Sequence, residues 1–326
     1  DLVAEMLLKP RWDEEEFALA KARVSYELQS LAADPNAIAA NAYARITFGE
    51  GHILATPVRG AESAIGAMTI DDIKTYYVKY LTPKAANFSE ADAKTALSAI
   101  NAPWQGDALA EPDYPAPAAP ETSVIYFVDV PGAKQSVFQF GYPALTYTDP
   151  DFYPALVMNY RLGGGGFASR LTQELRESKG YTYGIRSGFS GSSRYGDFRI
   201  ASGVRSNVTY EAAALVKELL ESYGATFTEE DLGVTKSFLL KSKARAFETL
   251  GAKLGMLENI ADYGLPYDYV KKQDEIVEAM TVERIQELAG AYIRPDAMNW
   301  VVVGDAETQA ARLEALGYGA PVMIKE

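Results

Sequence analysis

The chain is 326 residues long, 48% hydrophobic and 23% charged, with a formal net charge of −13 and no cysteine. Its length suggests roughly two domains of about 150 residues each, and its composition is that of a soluble globular protein without a disorder signature. A field of that sign repels phosphate, which argues against nucleic acid and anionic membrane as partners, and the lack of cysteine removes disulfides, thiolate metal sites and cysteine nucleophiles.

Taken from the start, Asp1 is followed at once by Leu2-Val3-Ala4-Glu5-Met6-Leu7-Leu8. This reads as the middle of an amphipathic helix, so the true N-terminus is expected upstream. No signal peptide is visible, and no apolar run reaches the roughly 18 residues of a membrane span.

A repeat emerges next. Trp12-Asp13-Glu14-Glu15-Glu16-Phe17-Ala18-Leu19-Ala20-Lys21 matches Phe227-Thr228-Glu229-Glu230-Asp231-Leu232-Gly233-Val234-Thr235-Lys236. Each stretch places an aromatic before a capping Asp or Thr, then acids in the first helical turn, where the helix dipole favours negative charge. Further on, Met68-Thr69-Ile70-Asp71-Asp72-Ile73 matches Met280-Thr281-Val282-Glu283-Arg284-Ile285, continuing through Tyr80, Pro83 and Asn87-Phe88 against Tyr292, Pro295 and Asn299-Trp300. Two matches in the same order at nearly one offset predict a tandem duplication. After Trp300 the second copy continues as an apolar strand, Val301-Val302-Val303-Gly304-Asp305, whereas the first passes from Phe88 straight to Ser89-Glu90. About five residues are missing by comparison. Either the first copy lacks an edge strand or a segment is absent from the sequence; the second is favoured, because a lost strand would expose sheet edge.

Residues 1–102 are thus read as a first domain and 103–122 as a Pro/Ala-rich linker with prolines at 103, 112, 115, 117 and 120; residues 123–326 form a second domain. In the second copy, strands are predicted from Val124 to Val130, from Ser136 to Tyr142, and near 181–190 and 195–205. Helices are predicted at about 150–162, 168–178, 209–223, 229–247, 250–262 and 281–292. The fold class is therefore α+β, with two tandem homologous domains, each a mixed or antiparallel sheet with helices packed on one face.

The densest local signal is Leu162-Gly163-Gly164-Gly165-Gly166-Phe167-Ala168-Ser169-Arg170-Leu171, continuing Thr172-Gln173-Glu174-Leu175-Arg176-Glu177-Ser178-Lys179-Gly180-Tyr181-Thr182-Tyr183-Gly184. Glycines permit close backbone approach, and the following helix points free N–H groups at the loop. A phosphate cradle would need Gly-Lys-Ser/Thr, which Phe167-Ala168-Ser169 does not supply. A close-packing turn without function fits the residues equally well.

Taken together, the glycine turn, Phe167, Ser169-Arg170-Leu171, Glu174-Leu175-Arg176-Glu177, Lys179-Gly180 and Tyr181-Thr182-Tyr183 resemble the C-terminal, zinc-free half of pitrilysin/insulinase-type (inverzincin) metallopeptidases. The resemblance implies a metallopeptidase or mitochondrial-processing-peptidase-like fold. In such enzymes an Arg and a Tyr seven residues later reach across a chamber. By that match Arg176 holds the substrate and Tyr183 donates a hydrogen bond to the oxygen of the attacked carbonyl, with Gly164, Gly165, Gly166 and Phe167 beside the substrate.

The same family builds its zinc site from H-x-x-E-H and a later Glu. This chain has a single histidine, His52, so zinc is expected in a partner half or subunit and no metal ligand is assigned here. His52, after Phe48-Gly49-Glu50-Gly51, matches a structural segment. Glu27 falls near the place of the third ligand, but Ala20 replaces the acid often found seven residues earlier. Either a segment bearing the histidines is missing or the first copy is a degenerate, zinc-free domain; Ala20 favours degeneracy. The implied function is the substrate-binding and transition-state-stabilising half of a zinc endopeptidase degrading peptides in a closed chamber. The implied partners are peptide substrates and a zinc-bearing N-terminal half or subunit, and the implied location is the periplasm of a bacterium or the secreted fraction. The alternatives are a non-catalytic core subunit and a peptide-binding module of the same fold.

Overall fold

A computed structural model describes residues 2–82, 112–246 and 248–325. By contacts the chain divides into two compact units: Asp1–Ala33 with Pro57–Tyr114, and Asp34–Thr56 with Pro115–Glu326. The expected gap after Phe88 and residues 103–111 of the proline-rich linker lie outside the described residues; from Pro112 to Ser123 there is neither helix nor strand.

The described part of the first unit is helical. It contains α1 (Leu2–Leu8), α2 (Glu14–Ala32), α4 (Glu62–Ala67) and α5 (Ile70–Tyr80). The Asp13 side chain caps α2 by accepting the N–H groups of Glu15 and Glu16 at 3.0 and 3.1 Å. Thr69 and Asp72 form a reciprocal capping box at the start of α5. Lys21 Nζ, on α2, donates to the carbonyls of Gly66 and Met68 at 2.7 and 2.9 Å, which ties α2 to the turn before α5.

The second unit repeats these devices. Thr228 and Asp231 form the capping box of helix Glu229–Ala246, and Thr281 accepts the N–H of Arg284 at the start of helix Val282–Tyr292. Lys236, which aligns with Lys21, donates to the Glu278 carbonyl at 2.7 Å, two residues before Met280 just as Gly66 is two before Met68. Lys21 and Lys236 thus make corresponding side-chain-to-carbonyl contacts, and Thr69 and Thr281 corresponding helix caps, in the two places.

At the centre of the second unit lies a mixed six-stranded sheet: β1 (Val124–Asp129), β2 (Gln135–Ala144), β3 (Thr182–Gly191), β4 (Gly196–Arg205), β5 (Asn299–Gly304) and β6 (Val322–Ile324). Their spatial order is β3-β4-β2-β5-β1-β6. β3, β4, β2 and β5 pair antiparallel, whereas β1 runs parallel to β5 and β6. Alternation sorts each strand between two faces. Phe138, Phe140, Trp300 and Val302 point into the large core beneath the second copy's own helices. Val137, Val301 and Val303, with Val128, point the other way, against Ala39, Ala42 and Tyr43 of α3 (Pro35–Phe48). Two alanines let α3 approach closely, and Gly141 is needed beneath it, because a Cβ there would lie 2.5 Å from the Tyr43 hydroxyl. A helix from the first copy's sequence thus covers part of the second face of the sheet, an addition to the helices expected on one face.

Most strands and helices of the second copy fall where hydrophobic periodicity puts them. Helix Tyr269–Ala279 is a difference: its middle reads Lys271-Lys272-Gln273-Asp274-Glu275, and only Tyr269 and Val277 are buried, so its apolar stripe is too thin to stand out. β6, with three residues, is another.

Candidate functional site

The glycine-rich segment is docked along β3, the edge strand of the sheet. Helix Phe152–Asn159 continues through a wider π-helical turn, Tyr160–Gly164. Asn159 Nδ2 donates to the Ser187 carbonyl at 2.9 Å and its Oδ1 accepts from Ser187 Oγ at 2.5 Å, while Thr172 Oγ1 donates to the Ile185 carbonyl at 3.2 Å. Side chains thereby occupy the edge carbonyls that would otherwise invite a further strand. A Cβ on Gly163 would lie 2.5 Å from the backbone nitrogen of Ser187, and one on Gly165 would lie 2.6 Å from the Tyr160 carbonyl oxygen. Gly166 takes φ +58°, in the left-handed region. Gly163→Ala is expected to cost about 1–3 kcal/mol in urea unfolding, since the clash is with strand backbone and no rotamer change relieves it.

Two arginines bracket the glycines and meet on one carboxylate. Arg161 Nε lies 2.8 Å from Asp231 Oδ1 and Arg170 Nη2 lies 2.6 Å from Oδ2. Arg161 also donates to the Ala168 carbonyl, and Arg170 donates to Thr226 and stacks over the Tyr223 ring at 5.2 Å. Burial alone would raise the Asp231 carboxyl, but hydrogen bonds from Arg170, Arg161 and the Thr228 N–H outweigh it and hold the group below its ordinary range.

Beyond Gly166 the chain turns outward. Phe167 is 64% exposed, and the Arg176 guanidinium stacks on its ring at 4.6 Å while Arg176 Nε lies 3.2 Å from Glu177. Gly180, at φ +60°, closes the helical segment: its N–H donates to the Arg176 carbonyl at 3.1 Å and that of Tyr181 donates to Leu175 at 2.8 Å. The chain then enters β3 through an irregular pairing in which Thr182 faces Val204 and Ile185 faces Ser202, so Tyr183 and Gly184 both oppose Gly203. Thr182 Oγ1 fixes this bulge: its one proton has the carbonyls of Gly203 and Gly184 within reach, at 2.7 and 2.9 Å, and its oxygen accepts the N–H of Gly184 at 3.0 Å. The bulge leaves the Tyr183 side chain 88% exposed, with no hydrogen-bond partner among the described residues.

Gly164, Gly165 and Gly166 line a groove of about 500 Å³ together with Tyr160, Phe238 and Arg186. Phe238 stacks on Tyr160 at 4.9 Å. The structure therefore brings Arg176 and Phe167 into contact and places the glycines along a neighbouring groove; Phe167 and Tyr183 do not line that groove. Asp231 escaped the sequence reading, although the Thr228-x-x-Asp231 capping pattern marks it. Asn159 and Thr182 carry no local signal.

Neither His52 nor Glu27 belongs to a set of metal ligands among the described residues. The His52 ring is buried against Phe48 and Tyr195, at centroid distances of 5.7 and 4.7 Å, and its Nδ1 accepts the Leu54 N–H at 3.1 Å. Glu27 is paired with Arg59 on the surface. Among the described residues no group of three His, Cys, Asp or Glu could hold a metal ion, and no helix is long and apolar enough to cross a membrane.

Comparisons with known proteins agree with this picture. An uncharacterized zinc protease of Streptomyces coelicolor is 26% identical over 268 residues, covering 79% of this chain and 58% of that protein. The non-peptidase homolog YmxG of Helicobacter pylori is 25% identical over 263 residues, covering 77% of this chain and 59% of the relative. The chain thus spans less than two thirds of the length of these two relatives. Among solved structures, a peptidase M16 inactive domain from Pseudomonas fluorescens matches with TM-score 0.83 at 25% identity, covering 93% of this chain and 74% of that one. The periplasmic protease PqqL from Escherichia coli shares the fold, with TM-score 0.68 at 16% identity over 90% of this chain and 33% of that one. The family model of the peptidase M16 inactive domain covers residues 67–239, a little over half of the sequence, and the chain belongs to that family.

Proposed function

We propose that this chain is the zinc-free, substrate-holding half of a metalloendopeptidase, completed by a zinc-bearing half or subunit. The observation that carries the reading is the presentation of Tyr183: a phenol 88% exposed, with no packing role, on a backbone fixed by Thr182 and the Gly180 turn. A donor held in this way can meet a carbonyl oxygen as negative charge builds on it, with little reorganisation. Arg176, fanned over Phe167, holds a neighbouring part of the peptide, and Gly164, Gly165 and Gly166 let the substrate backbone approach. No ligand for zinc is assigned to this chain, and by itself it cleaves nothing. The location proposed for such an enzyme is the periplasm or the secreted fraction of a bacterium; the Escherichia coli protease of the same fold is periplasmic.

The native assembly, purified with zinc, is expected to hydrolyse an unstructured peptide. Arg176→Ala is expected to raise KM about tenfold with little change in kcat, the signature of lost binding shared by ground and transition states. An unchanged KM sinks the grip assigned to Arg176. A second reading, a non-catalytic core subunit or peptide-binding module, is favoured by the Helicobacter pylori relative, a non-peptidase homolog. An assembly that binds peptide and leaves it intact establishes that reading instead.

A further inference from the structure

The face of β3 and β4 that carries Tyr183 has an unusual composition. Ile185, Phe189, Phe198 and Ile200 point into the core, so the alternating residues point to the opposite face. On that face β4 presents Arg199, Ala201, Gly203 and Arg205, and β3 presents Gly184, Arg186 and Gly188. α3 covers this side of the sheet over Val128, Val137, Val301 and Val303 and leaves the three arginines exposed.

Two features of this surface point to a ligand. Its charge is uncompensated: Arg186 and Arg205 have no carboxylate partner among the described residues, in a chain whose formal net charge is −13. Arg199 contributes less, because its Nε lies 3.9 Å from the buried Asp197 and its guanidinium leans over the Tyr43 ring. The surface between the arginines is also bare. A Cβ added at Gly184 or Gly188 would meet nothing within 4 Å, and one at Gly203 would meet only Gln135 Oε1, at 3.8 Å. Strands gain from β-branched and aromatic side chains, so glycine at such positions marks a place where another backbone comes close.

We infer that this open face, from Tyr183 past Arg186 to Arg199 and Arg205, is a docking platform for acidic, unfolded peptide segments. The glycines admit the peptide backbone, and the guanidiniums pair with glutamate or aspartate side chains or a terminal carboxylate. The inference rests on the proposed function only in taking the ligand to be peptide lying against Tyr183; the platform itself works by binding.

The test is binding by the whole chain, read by fluorescence anisotropy with a short dye-labelled unstructured peptide rich in glutamate, against its glutamine counterpart. The glutamate peptide is expected to bind more tightly, with the difference shrinking at high salt. Arg186→Gln and Arg205→Gln are each expected to weaken it about three- to tenfold, without affecting the glutamine peptide. Gly188→Val, whose side chain enters open space and spares the fold, is expected to weaken both peptides. Binding is read without hydrolysis, so failure of the catalytic reading and failure of the platform are told apart. Equal binding of the two peptides overturns the inference, as do arginine variants that bind like the native chain or an oligonucleotide that displaces the peptide at lower concentration than the peptide itself.

Discussion

Tyr183→Phe is expected to lower kcat for an unstructured peptide by about 10²–10³-fold in the assembled enzyme, with KM and unfolding midpoint nearly unchanged. The size of the effect follows from the loss of one preorganised donor to a developing oxyanion, worth about 2.7–4 kcal/mol. Its selectivity follows from geometry. The hydroxyl has no partner among the described residues, and the side chain is 88% exposed, so removing the oxygen leaves no orphaned group inside the protein. Phenylalanine keeps the ring on the bulge that Thr182 fixes, and any fall in rate then reports on the missing hydrogen bond. If the variant turns over peptide at the native rate, the phenol has no part in the transition state, and Tyr183 serves at most as a contact for bound peptide. Steady-state kinetics alongside thermal unfolding decides between these outcomes.

How much of this was legible from sequence depended on the range of the interactions involved. Short-range devices were readable: the Asp13 and Thr228 caps and the apolar strand after Trp300 each depend on residues within a few positions of one another. The placement of Arg176 on a closing helix and of Tyr183 on the following strand was readable for the same reason. Features that depend on tertiary pairing were not. That Ala39, Ala42 and Tyr43 lie on the second copy's sheet needs contacts across much of the chain, and no periodicity in α3 names its partner. Four consecutive glycines signal close approach but not what approaches; Gly163 meets Ser187 only because β3 returns beside it. The arginines of the open face gather only when β3 and β4 pair with Arg186 opposite Ala201, a register that neither strand encodes alone.

Asp231→Ala is expected to destabilise the fold by about 3–5 kcal/mol, because it leaves two largely buried guanidiniums without their shared carboxylate. The carboxylate accepts from Arg161, Arg170 and both the N–H and hydroxyl of Thr228, so its loss also opens the capping box of helix Glu229–Ala246. Asp231→Asn keeps the shape but not the charge, and is expected to cost less. The pH dependence has a definite sign. A carboxyl held below its ordinary pKa in the folded state contributes stability in full above its unfolded pKa of about 3.9, and loses it as pH falls through the folded value. Urea unfolding of the native chain and of Asp231→Asn at neutral pH and near pH 3 is therefore expected to show the gap between them narrowing in acid. Arg161 and Arg170 bracket Gly163–Gly166, so the same substitution is also expected to loosen the groove wall and raise KM for peptide. A loss below about 1 kcal/mol would mean that the carbonyls of Ala168 and Thr226 satisfy both arginines, and the glycine turn would then owe its rigidity to the fit of Gly163 against Ser187 alone.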